Sequence, residues 1–404
     1  MQRREFLGAL GIASGASLLS TEAISAQAEK LEQLDTQSRK AFAELIATLQ
    51  EVDKNYLSAA AGITRPGDVA DGHRYLMHVL QWALMSETDV SLDHPTFHRM
   101  VSPSRKALGD NPDAVYFGAS IRGDRSYKIT GNKAGAVYTS ITIEGGAQDG
   151  SYASKTVGAI NDSEFDVDEY GNFEIIIGPN PPKKNGLQYP ADAASITTRH
   201  YFEEKVSVAA ELTRHIPMQI EPLEELPPPP TPTDASIAAG ITRVSNSVRG
   251  RTLEHAKREA GKQPGWVSRI PNKFNKPEKP GDMAFAAVDN AYAMAPYVLM
   301  PNQALIISGK FPVCRFANIV LWNRFLQTYD YANRQISLNR KQTKVDKEGR
   351  FTIVVAHNNP GVDNWIDTEG RHSGLMYWRF LLPEEDVETP QTKVVAFDQI
   401  AENM

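Results

Sequence analysis

Gly171-Asn172-Phe173-Glu174-Ile175-Ile176-Ile177, followed by Asn180-Pro181, is echoed by Gly349-Arg350-Phe351-Thr352-Ile353-Val354-Val355, followed by Asn359-Pro360. Each stretch opens on a glycine suited to a turn and continues into apolar β-formers, the pattern of a strand entered through a tight turn. The offset is about 178 residues, and other stretches keep it. Asp110-Asn111 ahead of Tyr116 is answered by Asp289-Asn290 ahead of Tyr292. Ile129-Thr130-Gly131 is answered by Ile307-Ser308-Gly309, and Asn185 and Arg199 by Asn364 and Arg379. Any hairpin entry gives one such match, whereas five in order make an internal duplication. The fold class read from this is mainly β with helical additions: two tandem, duplicated β-sandwich modules, jelly-roll-like, plus an N-terminal helical segment.

Outward from the repeat, Val115-Tyr116-Phe117, Tyr127-Lys128-Ile129, 136–143, 173–177 and 195–202 are β-rich runs broken by Gly, Asn and Pro. They place the first module at 106–220 and, by the offset, the second at 281–404. Between them, 221–233 holds Pro227-Pro228-Pro229-Pro230-Thr231-Pro232, which lacks amide donors for a ladder and makes a stiff extended connector. A helix and coil follow over 234–280, where Thr233 or Asp234 can cap a helix carrying Ile237, Ile241, Val244 and Val248. Upstream, 30–105 is read as helical, from Leu45, Ile46, Leu49 and Val52 and from Tyr75, Val79, Leu80 and Ala83 behind caps at Asp68 and Asp71.

The chain has 404 residues, 41% of them hydrophobic and 23% charged, enough to bury more than one core and too ordinary for a disordered or fibrous protein. The formal net charge is −6 and the basic residues are dispersed, so nucleic acid is not an expected partner. The first 28 residues read as an export signal: Arg3-Arg4, then Phe6-Leu7, a short apolar run and Ala26-Gln27-Ala28. This resembles the twin-arginine signal of bacterial exported proteins, with Gln2 where Ser or Thr is usual. The resemblance implies the twin-arginine export machinery as a partner, transport in the folded state, and a periplasmic or secreted destination. An apolar run of about 11 residues spans only about half a bilayer core, so no permanent membrane anchor is expected. The lone Cys314 cannot form an intramolecular disulfide.

Phosphate-loop, dinucleotide, nucleophile-elbow and His-Glu-x-x-His signatures are all absent, and no cofactor is expected. The tightest His pair, His94 and His98, is interrupted by Pro95, and no metal is expected there. The densest polar stretch is His357-Asn358-Asn359-Pro360-Gly361-Val362-Asp363-Asn364-Trp365-Ile366-Asp367-Thr368. There His357 is read as a general base, Asp363 or Asp367 as its orienting carboxylate, Trp365 and Asn364 as substrate contacts, and Arg379 as an anion holder. The structural alternative has Trp365 plugging the sandwich end and Asp367 stapled to Arg379. A second cluster pairs Asp110 and Asp113 with Tyr116, and Asp289 with Tyr292; a phenol beside an arginine can act as an acid if its pKa is lowered. Arg199 completes the substrate-binding set, and strand alternation puts it on one face with Tyr201, opposite His200 and Phe202.

At these residues the chain resembles a bacterial family catalogued as domain of unknown function twelve-fourteen. The motifs are Gly109-Asp110-Asn111-Pro112-Asp113-Ala114-Val115-Tyr116; Gly171, Phe173, Glu174 and Ile175; 195–202; and Asn364-Trp365-Ile366-Asp367-Thr368. They cover about 110–205 and, duplicated, about 285–385. The resemblance implies a mainly β architecture with helical additions and brings no activity with it.

Two functions follow as expectations. The first is an exported enzyme doing metal-independent acid–base chemistry (elimination, isomerisation or hydrolysis) on a small ring-bearing substrate in a cleft between the modules. The second is a periplasmic protein that binds a saccharide or apolar small molecule there without turning it over, with Trp322, Trp365 and Trp378 dominating.

Overall fold

The computed structural model describes residues 34–254 and 263–404. The export signal expected at 1–28 lies outside them. Two N-terminal helices come first, α1 (Gln37–Glu51) and α2 (Pro66–Glu87), with Thr36 capping α1 by accepting from Arg39 N. Helix α2 starts earlier than its expected caps. Pro66 occupies the first helical position, where its fixed φ suits a helix and its missing N–H costs nothing. Asp68 therefore sits in the first turn, and Asp71 lies inside the helix, paired with Arg371.

Nine strands follow: β1 (His98–Arg99), β2 (Ala114–Ser120), β3 (Tyr127–Asn132), β4 (Tyr138–Gly145), β5 (Lys155–Asn161), β6 (Asn172–Gly178), β7 (Gly186–Gln188), β8 (Ala193–Tyr201) and β9 (Met218–Pro222). Strand β9 carries Glu221 and Pro222 into the stretch read as connector, which Pro tolerates because β9 is a sheet edge. Helix α3 (Asp234–Arg251) opens on a capping box between Thr233 and Ser236. Asp234 instead reaches across to the start of α1, accepting from Gln37 N at 2.8 Å. The remaining strands are β10 (Asn290–Val298), β11 (Gln303–Lys310), β12 (Phe316–Trp322), β13 (Ser337–Asn339), β14 (Arg350–Ala356), β15 (Trp365–Asp367), β16 (Ser373–Leu381) and β17 (Gln391–Ala396).

The duplication holds strand for strand. The first module pairs a sheet β1-β2-β8-β4-β5 with a sheet β7-β6-β3-β9, and the second pairs β10-β16-β12-β13 with β15-β14-β11-β17. Apart from the short edge strand β1, advancing every label by eight converts one module into the other. Even the parallel pair recurs, β6 with β7 and β14 with β15. Each sandwich closes on inward-facing aliphatics: Ile129, Ile141, Ile175, Ile177 and Ile196 in the first, Leu305, Ile307, Ile319, Ile353 and Val355 in the second. Each fully buried side chain of this size contributes about 1.5–3 kcal/mol.

The repeated Gly and Phe have a shared physical reason. Gly131 lies directly opposite Phe173, and Gly309 directly opposite Phe351. A Cβ on Gly309 would stand 2.8 Å from the Phe351 ring, so the absent side chain is the space the ring occupies. Phe351 cannot retreat, because Phe311 and Trp378 flank it at ring separations of 4.7 and 5.3 Å.

Alternation on β8 and β16 divides their side chains between two surfaces. Ile196, Trp378 and Phe380 enter the module cores, whereas Arg199 with Tyr201 and Arg379 with Tyr377 face the other module. Register does the rest: Tyr116 lies opposite Arg199 on β2 and β8, and Tyr292 opposite Arg379 on β10 and β16. The two sheets meet through Tyr201 against Phe316, 5.2 Å between rings, and through Asn318, which donates to Asn111 and Asp113. The helices cover one end of this junction, packing Tyr75, Val79 and Trp82 with Met100, Val101 and Phe325.

Gly309→Ala is expected to lower stability by about 1–3 kcal/mol through overpacking against Phe351. A denaturation midpoint matching wild type would show that the ring has room to move.

Candidate functional site

The faces that carry the repeated Tyr and Arg do not close completely on one another. They enclose a cavity of about 830 Å³, large enough for a drug-sized molecule. Its walls hold Tyr116, Arg199 and Tyr201 from the first module and Tyr292, Tyr377 and Arg379 from the second. Trp82 of α2, Trp266, Trp322 and the strap Met283–Ala287 complete it. The exposed Ser154, Gln263 and Arg269 stand at its rim.

The two arginines are held differently. Arg199 donates Nη1 to Thr142 Oγ1 at 2.7 Å and Nη2 to the Phe285 carbonyl at 2.9 Å. Thr142 in turn donates to the buried Glu144 at 3.0 Å, so a hydroxyl relays this guanidinium to a carboxylate. Arg379 is 4% exposed, and Nη2 donates to the Gly109 carbonyl at 2.7 Å. Its other terminal nitrogen, Nη1, is buried without a hydrogen-bond partner. The guanidinium lies 5.1 Å over the Trp322 ring and 4.7 Å from that of Tyr377, contacts that fix its plane. Gly109 makes this arrangement possible: its φ is +72°, and a Cβ there would stand 2.6 Å from the Trp322 ring. Two further buried polar atoms on the walls, Trp266 Nε1 and Thr197 Oγ1, also lack partners.

Burial decides the state of the phenols. The expected lowering of a tyrosine pKa by its arginine does not occur, because lost hydration outweighs the cation. Tyr292 is pushed up to about 12, and Tyr116 and Tyr377 rise well above their ordinary value. These phenols are neutral hydrogen-bonding groups at neutral pH.

Of the residues read from sequence, Tyr116, Tyr292, Arg199 and Arg379 come together here, and Trp322 joins them. The polar loop does not reach the cavity. His357 Nδ1 bonds to Thr368 Oγ1 at 2.6 Å, and neither expected carboxylate orients it. Asp363 pairs with Lys344 at 2.9 Å. Asp367 pairs with Arg334 at 2.7 Å rather than with Arg379, which is drawn to the opposite face of its strand pair. Trp365 donates to the Ala356 carbonyl and packs on the outer face of the β15-β14-β11-β17 sheet. Asn364 accepts from Lys344 N at 2.8 Å, as its counterpart Asn185 accepts from Asp166 N at 3.0 Å, so both copies use the residue to fasten a turn. Trp378 is in the second module's core. His94 contacts the Pro227 carbonyl, and His98 lies in β1 with its pKa lowered by burial to about 4.

Asp113 is a lock between the modules rather than a cavity wall. It is 1% exposed and accepts from Asn318 at 2.7 Å and Asn339 at 2.9 Å, with no cation in contact. Burial raises its pKa to about 6. Sequence reading missed Tyr377, Trp266, Trp82 and Phe285. Only Tyr377 carried a signal, standing two residues before Arg379 and therefore on the same strand face.

Residues 116–205 and 305–385 match the family described as "Protein of unknown function (DUF1214)". The match falls once in each sandwich module. Of the wall residues, Tyr116, Arg199, Tyr201, Tyr377 and Arg379 fall inside the matched stretches, and Tyr292 precedes the second. An uncharacterised protein from Burkholderia cenocepacia has the same fold, with a TM-score of 0.78 and 24% identity over 90% of this chain and 98% of that one. A protein from Vibrio parahaemolyticus aligns with a TM-score of 0.47 and 12% identity over 80% of this chain and 98% of that one. No curated protein matches the chain. Among the described residues, no helix is long and apolar enough to cross a membrane.

The Asp113 lock has a pH signature. Its folded pKa lies above the unfolded value near 4, so the folded state holds the proton more tightly and this group's contribution to stability falls as pH rises from about 4 to 6. Relative to Asp113→Asn, wild type should lose about 2 kcal/mol between pH 4.5 and 7. Denaturant midpoints at pH 4.5 and 7 check this, and parallel pH dependence in the two proteins would contradict it.

Proposed function

We propose that this protein, exported under its paired-arginine leader, binds a small, mainly aromatic or apolar molecule in the cavity between its modules. The observation that carries the reading is the cavity itself: about 830 Å³, walled largely by tyrosine and tryptophan, with buried polar atoms left without partners. Native interiors rarely leave such atoms unpaired, and a ligand that satisfies them is the simplest reason for them to persist. Aromatic walls supply contact area and a few fixed donors supply orientation.

Binding is preferred to acid–base catalysis because, among the described residues, the walls include no histidine, and their phenols are held neutral. The wall carboxylate, Asp110, has both oxygens engaged by Thr328, at 2.9 Å to its N–H and 2.5 Å to its hydroxyl. Burial also raises its pKa. An enzyme would have to free this carboxylate before using it as a base.

Three tryptophans, Trp82, Trp266 and Trp322, line the cavity and report on its occupancy. The neutral fluorophore N-phenyl-1-naphthylamine should bind and quench them. Ala286→Trp, which fills the cavity, should weaken binding at least tenfold, whereas His357→Ala should leave it unchanged. Absence of binding, or an Ala286→Trp titration identical to wild type, would overturn the reading, and consumption of a bound ligand would replace it with the enzymatic one.

A further inference from the structure

We infer that the natural ligand is a monoanion whose carboxylate docks on Arg379 Nη1, with its apolar body along the aromatic walls. This inference rests on the ligand-binding reading of the cavity and names the class of ligand.

The case begins with charge. A guanidinium removed from water is costly unless its donors and its charge are answered. Arg199 is answered by Thr142, Glu144 and the Phe285 carbonyl. Arg379 occupies the equivalent place in the second module, yet its one hydrogen bond among the described residues is to a neutral carbonyl, that of Gly109, beside the Trp322 and Tyr377 rings. Among the described residues neither arginine makes an ion pair, and Arg379 keeps a terminal nitrogen with nothing to donate to.

The nearby carboxylates do not serve it. Asp110 is held by Thr328, and Asp113 by Asn318 and Asn339. Burial raises the pKa of both although the Arg379 charge acts to lower it, and neither carboxylate hydrogen-bonds to the guanidinium. Arg379 is thus a buried cation on the cavity wall with one terminal nitrogen unpartnered, in a place where a charge-assisted hydrogen bond is strong.

Geometry narrows the anion. One open guanidinium nitrogen, with its plane fixed by Trp322 and Tyr377, suits a single carboxylate. A phosphate dianion would demand more donors than Arg379 Nη1, Trp266 Nε1 and Thr197 Oγ1 offer. The aromatic walls then select for a hydrophobic tail or ring behind the headgroup, as in a medium-chain or aryl carboxylic acid.

The test compares decanoate with 1-decanol, and 1-naphthoate with 1-naphthamide, as competitors of N-phenyl-1-naphthylamine at pH 7.5. Each acid should displace the fluorophore with at least tenfold higher affinity than its neutral partner. Arg379→Met should abolish that preference while still binding the fluorophore, and Arg379→Lys should keep part of it. Equal affinities of acid and neutral partner in wild type, with the fluorophore bound, would overturn the anionic inference and leave the cavity reading standing. Failure of the fluorophore itself to bind would remove both.

Discussion

A buried arginine set directly across a strand pair from a tyrosine occurs once in each module, and the way the two sandwiches meet follows from it. Antiparallel register puts Arg199 beside Tyr116 and Arg379 beside Tyr292, and alternation aims both pairs away from their own cores. A charged and phenolic face cannot pack as densely as an aliphatic one. The sheets accordingly join along one side, through Tyr138, Tyr201, Phe316 and Leu381, and stand apart where the arginines lie. The cavity is the space that this face leaves, bounded also by Trp82 of α2 and by the strap.

Duplication followed by divergence explains why the cavity is not symmetric. In the first copy the β4 position across from the arginine is Ser140, and Thr142, two residues further along β4 and itself bonded to Glu144, takes up the guanidinium. In the second copy that position is Asn318, which turns instead to Asn111 and Asp113 and knits the modules together. The same ancestral face has therefore become a junction on one side and an open cation on the other. Buried polar locks of this kind add little net stability, because desolvation offsets much of their attraction, but they define which relative placement of the modules leaves no donor stranded.

Much of the architecture was legible because it lies in short-range chemistry. Gly131 with Phe173 and Gly309 with Phe351 write the same cross-strand pair twice, so the repeat and the shared face of Arg199 and Tyr201 could be read from spacing, whereas the strand order could not. The start of α2 was misread because a proline at the first helical position outweighs an aspartate cap two residues on. The candidate site divided along a different line. Tyr116, Tyr292, Arg199 and Arg379 were visible as repeated positions. The loop from His357 to Thr368 drew attention by composition, yet its polar groups satisfy one another and nearby backbone, as Asn364 and Asp367 do. Trp82 and Trp266 reach the cavity from a helix and a coil far away in sequence, and no local pattern encodes such a meeting.

The central claim is that a carboxylate-bearing ligand lies between the modules with its head on Arg379. Anomalous diffraction from crystals grown with 11-bromoundecanoate tests it most directly. The account places the bromine among the aromatic walls and a carboxylate oxygen about 2.7–2.9 Å from Arg379 Nη1. Bromine located outside the cavity, or a cavity empty of it while the ligand sits elsewhere on the protein, would contradict the account.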